Sequence, residues 1–155
     1  MLCLGLLTLL TPLGSVSAET IQVGPMGQGL SLAQAIESAA DGDVLILAPG
    51  RYPLNLTLQD RALVLRGDGG SASVILEGGG LGSVLALHGS DITLEGVTIS
   101  GGQAFRGGGI YALESDLTLR GVTLKGNVAK AEGGGLYSQG GDIVLEGCRF
   151  DANTA

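Results

Sequence analysis

The sequence contains no tryptophan, only 3% aromatic residues and only four prolines, yet 45% of it is hydrophobic. Its core must therefore be built from aliphatic side chains. Charged residues make up just 15% of the chain, and this composition excludes a disordered protein. Glycine is abundant, with 29 copies. Because these glycines show no strict every-third spacing, collagen is excluded, and many tight turns between short strands are expected instead.

Positive charge is scarce: eight Lys and Arg stand against fifteen Asp and Glu, for a net charge of −7. Phosphate binding needs a basic face, so we expect neither nucleic acid nor an anionic lipid surface as a partner. After the N-terminus no run approaches the roughly 18 apolar residues of a membrane span, so we expect no membrane insertion of the mature chain. The length of 155 residues predicts a single domain.

Residues 1–18 have the features of a secretory signal peptide. No charged side chain occurs before Glu19, and the apolar run ends in VSA, which fits the small-residue rule for cleavage after Ala18. The alternatives are an apolar strand or a misassigned start. Cleavage predicts a secreted, periplasmic or cell-surface protein. It also removes Cys3, which leaves Cys148 without a disulfide partner in the chain.

An internal repeat of 25 to 26 residues dominates the chain. Its copies open at Asp91 (DITLEGVTISGG), Asp116 (DLTLRGVTLKGN) and Asp142 (DIVLEGCRFDAN). The second half of the unit repeats as GGGIY at 107–111 and GGGLY at 133–137, and looser copies begin further upstream. Each unit reads as two alternating strands and a third short one, joined by turns.

When the copies are aligned, the apolar residues of one face form five columns. The columns are Ile92, Leu117 and Ile143; Leu94, Leu119 and Leu145; Val97, Val122 and Cys148; Ile99, Leu124 and Phe150; and Ile110 and Leu136. A unit this short cannot bury its face alone, but stacked units bury all five columns together. The pattern predicts an all-β fold, a parallel β-helix over residues 44–155, because a propeller blade would need ~40 residues. Cys148 is expected to be a buried, unreactive thiol.

Residues outside the columns indicate the same stacking. One outer column alternates in charge at every step and consists of Arg66, Glu95, Arg120 and Glu146. The glycines that follow these residues are expected in left-handed bends; they are Gly67, Gly96, Gly121 and Gly147. Asn127 and Asn153 share another bend, where asparagine tolerates the left-handed conformation. Stacked above each other, these two side chains are expected to form an amide ladder.

The segment 19–43 is expected to cover the first coil. Residues 31–40 read as a short amphipathic helix with a Ser31–Gln34 capping box and with Gly42 as its stop, and a strand at 21–23 precedes it.

At its other end the chain stops in mid-unit, without a cap. We interpret it as a fragment of a longer solenoid; the alternative is a natural short chain that caps by oligomerising. Expressed alone, residues 19–155 are expected to associate end to end, because the core of the last unit is exposed.

Two stretches resemble known families. FDAN at 150–153 and the GGGI and GGGL blocks look like the polymorphic outer-membrane-protein repeat, although Leu124 and Gly102 depart from its FxxN pattern. AQAIESAADGDVLILAPGRY at 33–52 is similar to the opening of secreted right-handed β-helix proteins of the pectin-lyase-like superfamily. The resemblance implies a right-handed coil, export, and a polysaccharide-related or cell-surface role. It selects no single activity, because this fold carries lyases, hydrolases, epimerases, adhesins and inert stalks.

No catalytic residue, metal ligand or cofactor is assigned from the sequence. The aspartates that open the units suit turns better than a Ca²⁺ site, and His88 lacks the partner motifs of the hydrolases of this fold. Lys125, Lys130 and Arg106 lie near one turn region and could meet an anionic sugar, although scattered surface cations are the simpler explanation.

Tyr111 and Tyr137 are the candidate ligand-binding residues. Each follows a core residue and should point outward, about 4.8 Å from the other in the stack. The pair is either a platform for a sugar or a cross-strand contact that stabilises the sheet. The sequence thus predicts a secreted or cell-surface β-helix with a structural or binding role, adhesin-like or carbohydrate-binding, whose partner is polysaccharide or another cell surface. The alternative is a polysaccharide lyase, hydrolase or epimerase whose catalytic coils lie beyond residue 155.

Overall fold

In the computed structural model, which describes residues 17–155, the chain winds into stacked parallel sheets. Strands of one sheet come from successive coils and pair in parallel, so each coil lies directly on the one before it. This is the predicted parallel β-solenoid. The predicted signal peptide lies outside the described residues except for Ser17 and Ala18, which are exposed and have no regular structure. Within residues 17–155, no helix is both long and apolar enough to cross a membrane.

Within residues 17–155, four sheets form the walls of the solenoid, and in each sheet the strands follow one another along the stack. Sheet A contains β1 (Thr20–Val23), β2 (Val44–Leu47), β5 (Ala62–Gly67), β8 (Asp91–Glu95), β12 (Asp116–Arg120) and β16 (Ile143–Glu146). Sheet B contains β3 (Gly50–Pro53), β6 (Val74–Glu77), β9 (Thr98–Ser100), β13 (Thr123–Lys125) and β17 (Arg149–Asp151). Sheet C contains β4 (Leu56–Gln59), β7 (Leu85–His88), β11 (Ile110–Leu113) and β15 (Leu136–Gln139). Sheet D contains β10 (Gln103–Arg106) and β14 (Val128–Glu132).

The prediction of three strands per unit is wrong for the last full coils. In these coils the two strands of sheet D form a fourth side of the solenoid. Their sequences, QAFR and VAKAE, are mostly exposed and lack the apolar alternation that marks a half-buried strand. These strands form because stacking places one segment above the other and lets their backbones pair.

The predicted columns form the core. Parallel pairing aligns Leu94 with Leu119 and Leu119 with Leu145, and the other columns are aligned in the same way. Members in the inner coils are almost completely buried, whereas Leu145 is 46% exposed and Phe150 is 49% exposed. Both lie in the last coil of residues 17–155, and within these residues no further coil packs on its open side. Cys148 lies in the same coil and is only partly buried, so the prediction of a buried thiol is wrong.

The alternating charges of the outer column are paired across the coils of sheet A. Glu95 bridges two arginines, bonding to Arg66 Nε and lying 3.3 Å from Arg120 Nη1. The following glycines adopt positive φ as predicted, with one exception: Gly67 does not. Gly67 is needed for another reason, because a Cβ atom there would clash with the carbonyl oxygen of Gly96 in the next coil.

In the N-terminal segment, β1 is the first strand of sheet A, and the helix that follows it buries Leu32, Ala35 and Ile36 in the core. Helix α1 (Leu32–Ser38) begins with the predicted Ser31–Gln34 capping box. It ends earlier than predicted, because Ala39 is extended and Gly42, at φ 93°, belongs to the turn into β2 rather than to the helix stop. The Arg61 guanidinium caps this end of the helix by donating to the carbonyl oxygens of Ile36 and of the C-cap residue Ala39.

Candidate functional site

Tyr111 and Tyr137 stand on the outward face of sheet C, directly above one another. Their strands pair in register, the ring centres are 5.6 Å apart and the ring planes differ by 6°. The two rings are therefore stacked nearly parallel to each other. Such a pair contributes roughly 0.5–1.5 kcal/mol beyond its buried area. The arrangement favours the sheet-stabilising role over a flat platform for a sugar.

Polar groups surround the tyrosine pair. The guanidinium carbon of Arg106 lies 5.4 Å from the ring centre of Tyr137, and Arg106 Nε is 3.0 Å from a carboxylate oxygen of Glu132. The His88 ring is tilted against Tyr111, with 5.9 Å between the ring centres. What this face offers a ligand is therefore ring edges and polar groups rather than open ring faces.

Asn127 and Asn153 form a continuous set of hydrogen bonds inside the stack. Asn127 Nδ2 donates to Asn153 Oδ1 at 3.0 Å and to the carbonyl oxygen of Ile99 at 2.9 Å. The left-handed positions are Gly126 and Ala152, the residues before each asparagine, so the predicted left-handed conformation of the asparagines is wrong. The inward-facing amides make these residues structural elements of the bend.

Of the aspartates that open the repeat units, Asp116 makes a side-chain hydrogen bond between coils. Asp116 Oδ1 accepts a hydrogen bond of 2.8 Å from the backbone of Asp142 in the next coil. Among residues 17–155, no group of three or more His, Cys, Asp or Glu side chains is arranged to hold a metal ion.

The three cations that the sequence placed near one turn are not brought together. Arg106 and Lys130 lie on sheet D, whereas Lys125 lies on sheet B. On sheet B, Lys125 joins two other cations, Arg51 and Arg149, which come from distant parts of the chain.

These three cations line a shallow groove that runs over the outward face of sheet B, from β3 to β17. One half of this sheet B groove is lined by Arg51, Ile75, Glu77, Thr98, Ser100, Gly101, Lys125 and Gly126. The other half is lined by Ser71, Ala72, Thr98, Thr123, Lys125, Arg149 and Asp151. Because the halves share Thr98 and Lys125, they form one continuous surface.

The sheet B groove carries more positive than negative charge. It contains three cations and two carboxylates, in a chain whose net charge is −7. Arg51 lies 3.1 Å from Glu77, while Arg149 and Lys125 lie 3.7 and 4.0 Å from Asp151. The three cationic side chains remain 61–75% exposed. The groove was not predicted from the sequence. A signal for part of it is present, because Lys125 and Asp151 occupy the same position of the repeat in LKGN and FDAN.

No protein-family model, no curated protein and no solved structure matches the chain. Its assignment therefore rests on its residues and its architecture, which are those of a parallel β-helix.

Proposed function

We propose that the chain is a secreted or cell-surface β-helix with a structural and binding role, and that the sheet B groove binds an extended saccharide chain. The observation that carries the proposal is a row of polar and charged side chains along the groove, at the spacing of successive strands. Thr98 stacks on Thr123, and Ser100 on Lys125. Glu77 pairs with Ser100 on one side of this row, and Asp151 pairs with Lys125 on the other. The groups differ from coil to coil, but their regular spacing lets an extended polymer meet a polar contact at each coil that it crosses.

The charge of the groove favours an acidic saccharide. A uronate carboxylate can accept hydrogen bonds from a guanidinium or ammonium group, and such charge-assisted bonds are stronger than neutral ones. Asp151 and Glu77 already hold the cations in place, so a ligand competes with them rather than meeting free charges. Because the cationic side chains are exposed, we expect the binding to weaken as the salt concentration rises.

The test is a titration of ¹⁵N-labelled residues 19–155 with an oligomer of galacturonate, followed by NMR. We expect amide shifts along β9, β13 and β17, and a neutral oligosaccharide of equal length should cause smaller shifts. The double variant Lys125→Ala with Arg149→Ala should weaken binding about tenfold, which corresponds to ~1.4 kcal/mol.

The matched control is Lys130→Ala, which removes an exposed cation on sheet D. It should leave the affinity unchanged. An absence of shifts with both saccharides, or equal losses in the double variant and in the control, would refute the proposal. Shifts confined to Tyr111 and Tyr137 would move the binding site from the groove to sheet C.

A further inference from the structure

A buried carboxylate holds the start of the first strand. The Asp43 side chain is only 3% exposed. Its Oδ1 accepts a hydrogen bond of 2.8 Å from the backbone nitrogen of Glu19, and its Oδ2 accepts one of 2.8 Å from the backbone nitrogen of Ala40. Asp43 thus connects the beginning of β1 to the turn that follows helix α1.

The position of the Glu19 nitrogen is determined by strand pairing. β1 pairs with β2 from Thr20 onward, and the carbonyl oxygen of Glu19 accepts a 2.8 Å hydrogen bond from the backbone of Val44. Residues 17 and 18 are exposed and belong to no strand. The pairing of β1 with β2 therefore brings the Glu19 nitrogen to the Asp43 carboxylate, whether or not other residues precede Glu19.

Glu19 is also the first residue after the cleavage position that the sequence predicts. We propose that hydrolysis of the Ala18–Glu19 bond creates an α-ammonium group at Glu19, and that Asp43 is the binding site for this new N-terminus. In this step the C–N bond breaks, the hydroxyl of water joins the Ala18 carbonyl carbon, and a proton joins the Glu19 nitrogen. At neutral pH the new carboxyl group loses a proton and the new amine takes one up.

The consequence is electrostatic. Among residues 17–155 of the uncleaved chain, the two groups that donate hydrogen bonds to the Asp43 carboxylate are neutral backbone amides. A buried negative charge is costly unless a positive charge lies beside it. Cleavage converts one amide into a cation at the same place, without moving the chain. The mature protein therefore gains an ion pair that the precursor lacks, and β1 is held more strongly at the end of sheet A after processing.

The test compares three chains by thermal unfolding: residues 19–155 with a free amine, the same chain acetylated only at the Glu19 amine, and a chain that begins at Ser17. Acetylation keeps the N–H donor but removes the charge, while the Ser17 start keeps the charge but moves it two residues away. We expect the free 19–155 chain to unfold about 3–6 °C above both of the others. In Asp43→Asn this difference should disappear.

Should Asp43→Asn fail to fold, the comparison of the three chains with native Asp43 still decides the question. Equal unfolding temperatures for all three chains would overturn the proposal, and so would a difference that persists in a folded Asp43→Asn variant. The proposal would also be overturned if the protein exported from a bacterial host were found to begin at a residue other than Glu19. No saccharide enters these measurements, so their outcome is independent of the function proposed for the groove.

Discussion

At the scale of single residues, Asn127 has hydrogen-bond partners in more coils of the solenoid than its place in the repeat motif indicates. Its side chain is fully buried, and both of its polar atoms are bonded. Oδ1 accepts from the backbone of Gly102 at 3.0 Å, while Nδ2 donates to Ile99 in the coil below and to Asn153 in the coil above. One amide therefore links three successive coils, its own and the coil on either side.

Replacing Asn127 by alanine should destabilise the protein by about 2–4 kcal/mol, because it leaves a buried N–H and a buried carbonyl without partners. Urea unfolding measures this loss. The matched control is Asn153→Ala in the same ladder, which should cost less because Asn153 is only partly buried. Equal losses in the two variants would contradict the argument from burial.

At the scale of elements, Glu95 binds three strands of sheet A together. The hydrogen bond from Arg66, and after it the interactions with Arg120, hold the pKa of Glu95 below its usual value. A carboxyl group whose pKa is lower in the folded than in the unfolded state stabilises the fold above the unfolded pKa of about 4.3. That stabilisation is lost as the pH falls through the lower, folded pKa.

We predict that in Glu95→Gln the free energy of unfolding falls less steeply as the pH is lowered. Below pH 5, the wild type should lose about 0.5–1 kcal/mol more than the variant does, the range expected for partly exposed pairs. Thermal unfolding between pH 7 and pH 3 measures the difference. Glu37→Gln, on the exposed face of helix α1, should reproduce the wild-type curve. A variant curve parallel to the wild type would contradict this assignment.

The elements also show how far sequence reasoning reaches. Strands with strict alternation and a helix with a capping box were predicted, because both leave local patterns. β10 and β14 were not, because their pairing depends on stacking rather than on apolar residues. The sheet B groove was missed for a related reason. Arg51 comes from the irregular first coils, so only the assembled stack shows that it lies on the same wall as Lys125 and Arg149.

At the scale of the whole molecule, the outermost coil presents an apolar surface. Leu145 and Phe150 belong to the core columns, yet nearly half of each side chain is exposed there. An unpaired strand edge beside an apolar surface favours association. We therefore expect residues 19–155 to sediment as more than one chain at micromolar concentration.

The variant Leu145→Lys should shift the association equilibrium toward the monomer, because it places a charged side chain on the apolar surface through which the chains associate. Val144→Lys is the matched control, since Val144 is 43% exposed but points outward from the wall of sheet A rather than along the stack. It should leave the association unchanged. A monomer at all concentrations, or equal effects of the two lysines, would refute this interpretation.

The alternating column on sheet A implies a parity rule for the growth of such a protein. Removing one coil, residues 91–115, would set Arg66 against Arg120 and turn an attraction into a repulsion. Removing two coils, residues 91–141, would set Arg66 against Glu146 and restore the attraction. Among the inner coils that carry this column, duplication or deletion therefore preserves the attraction only when an even number of coils is gained or lost.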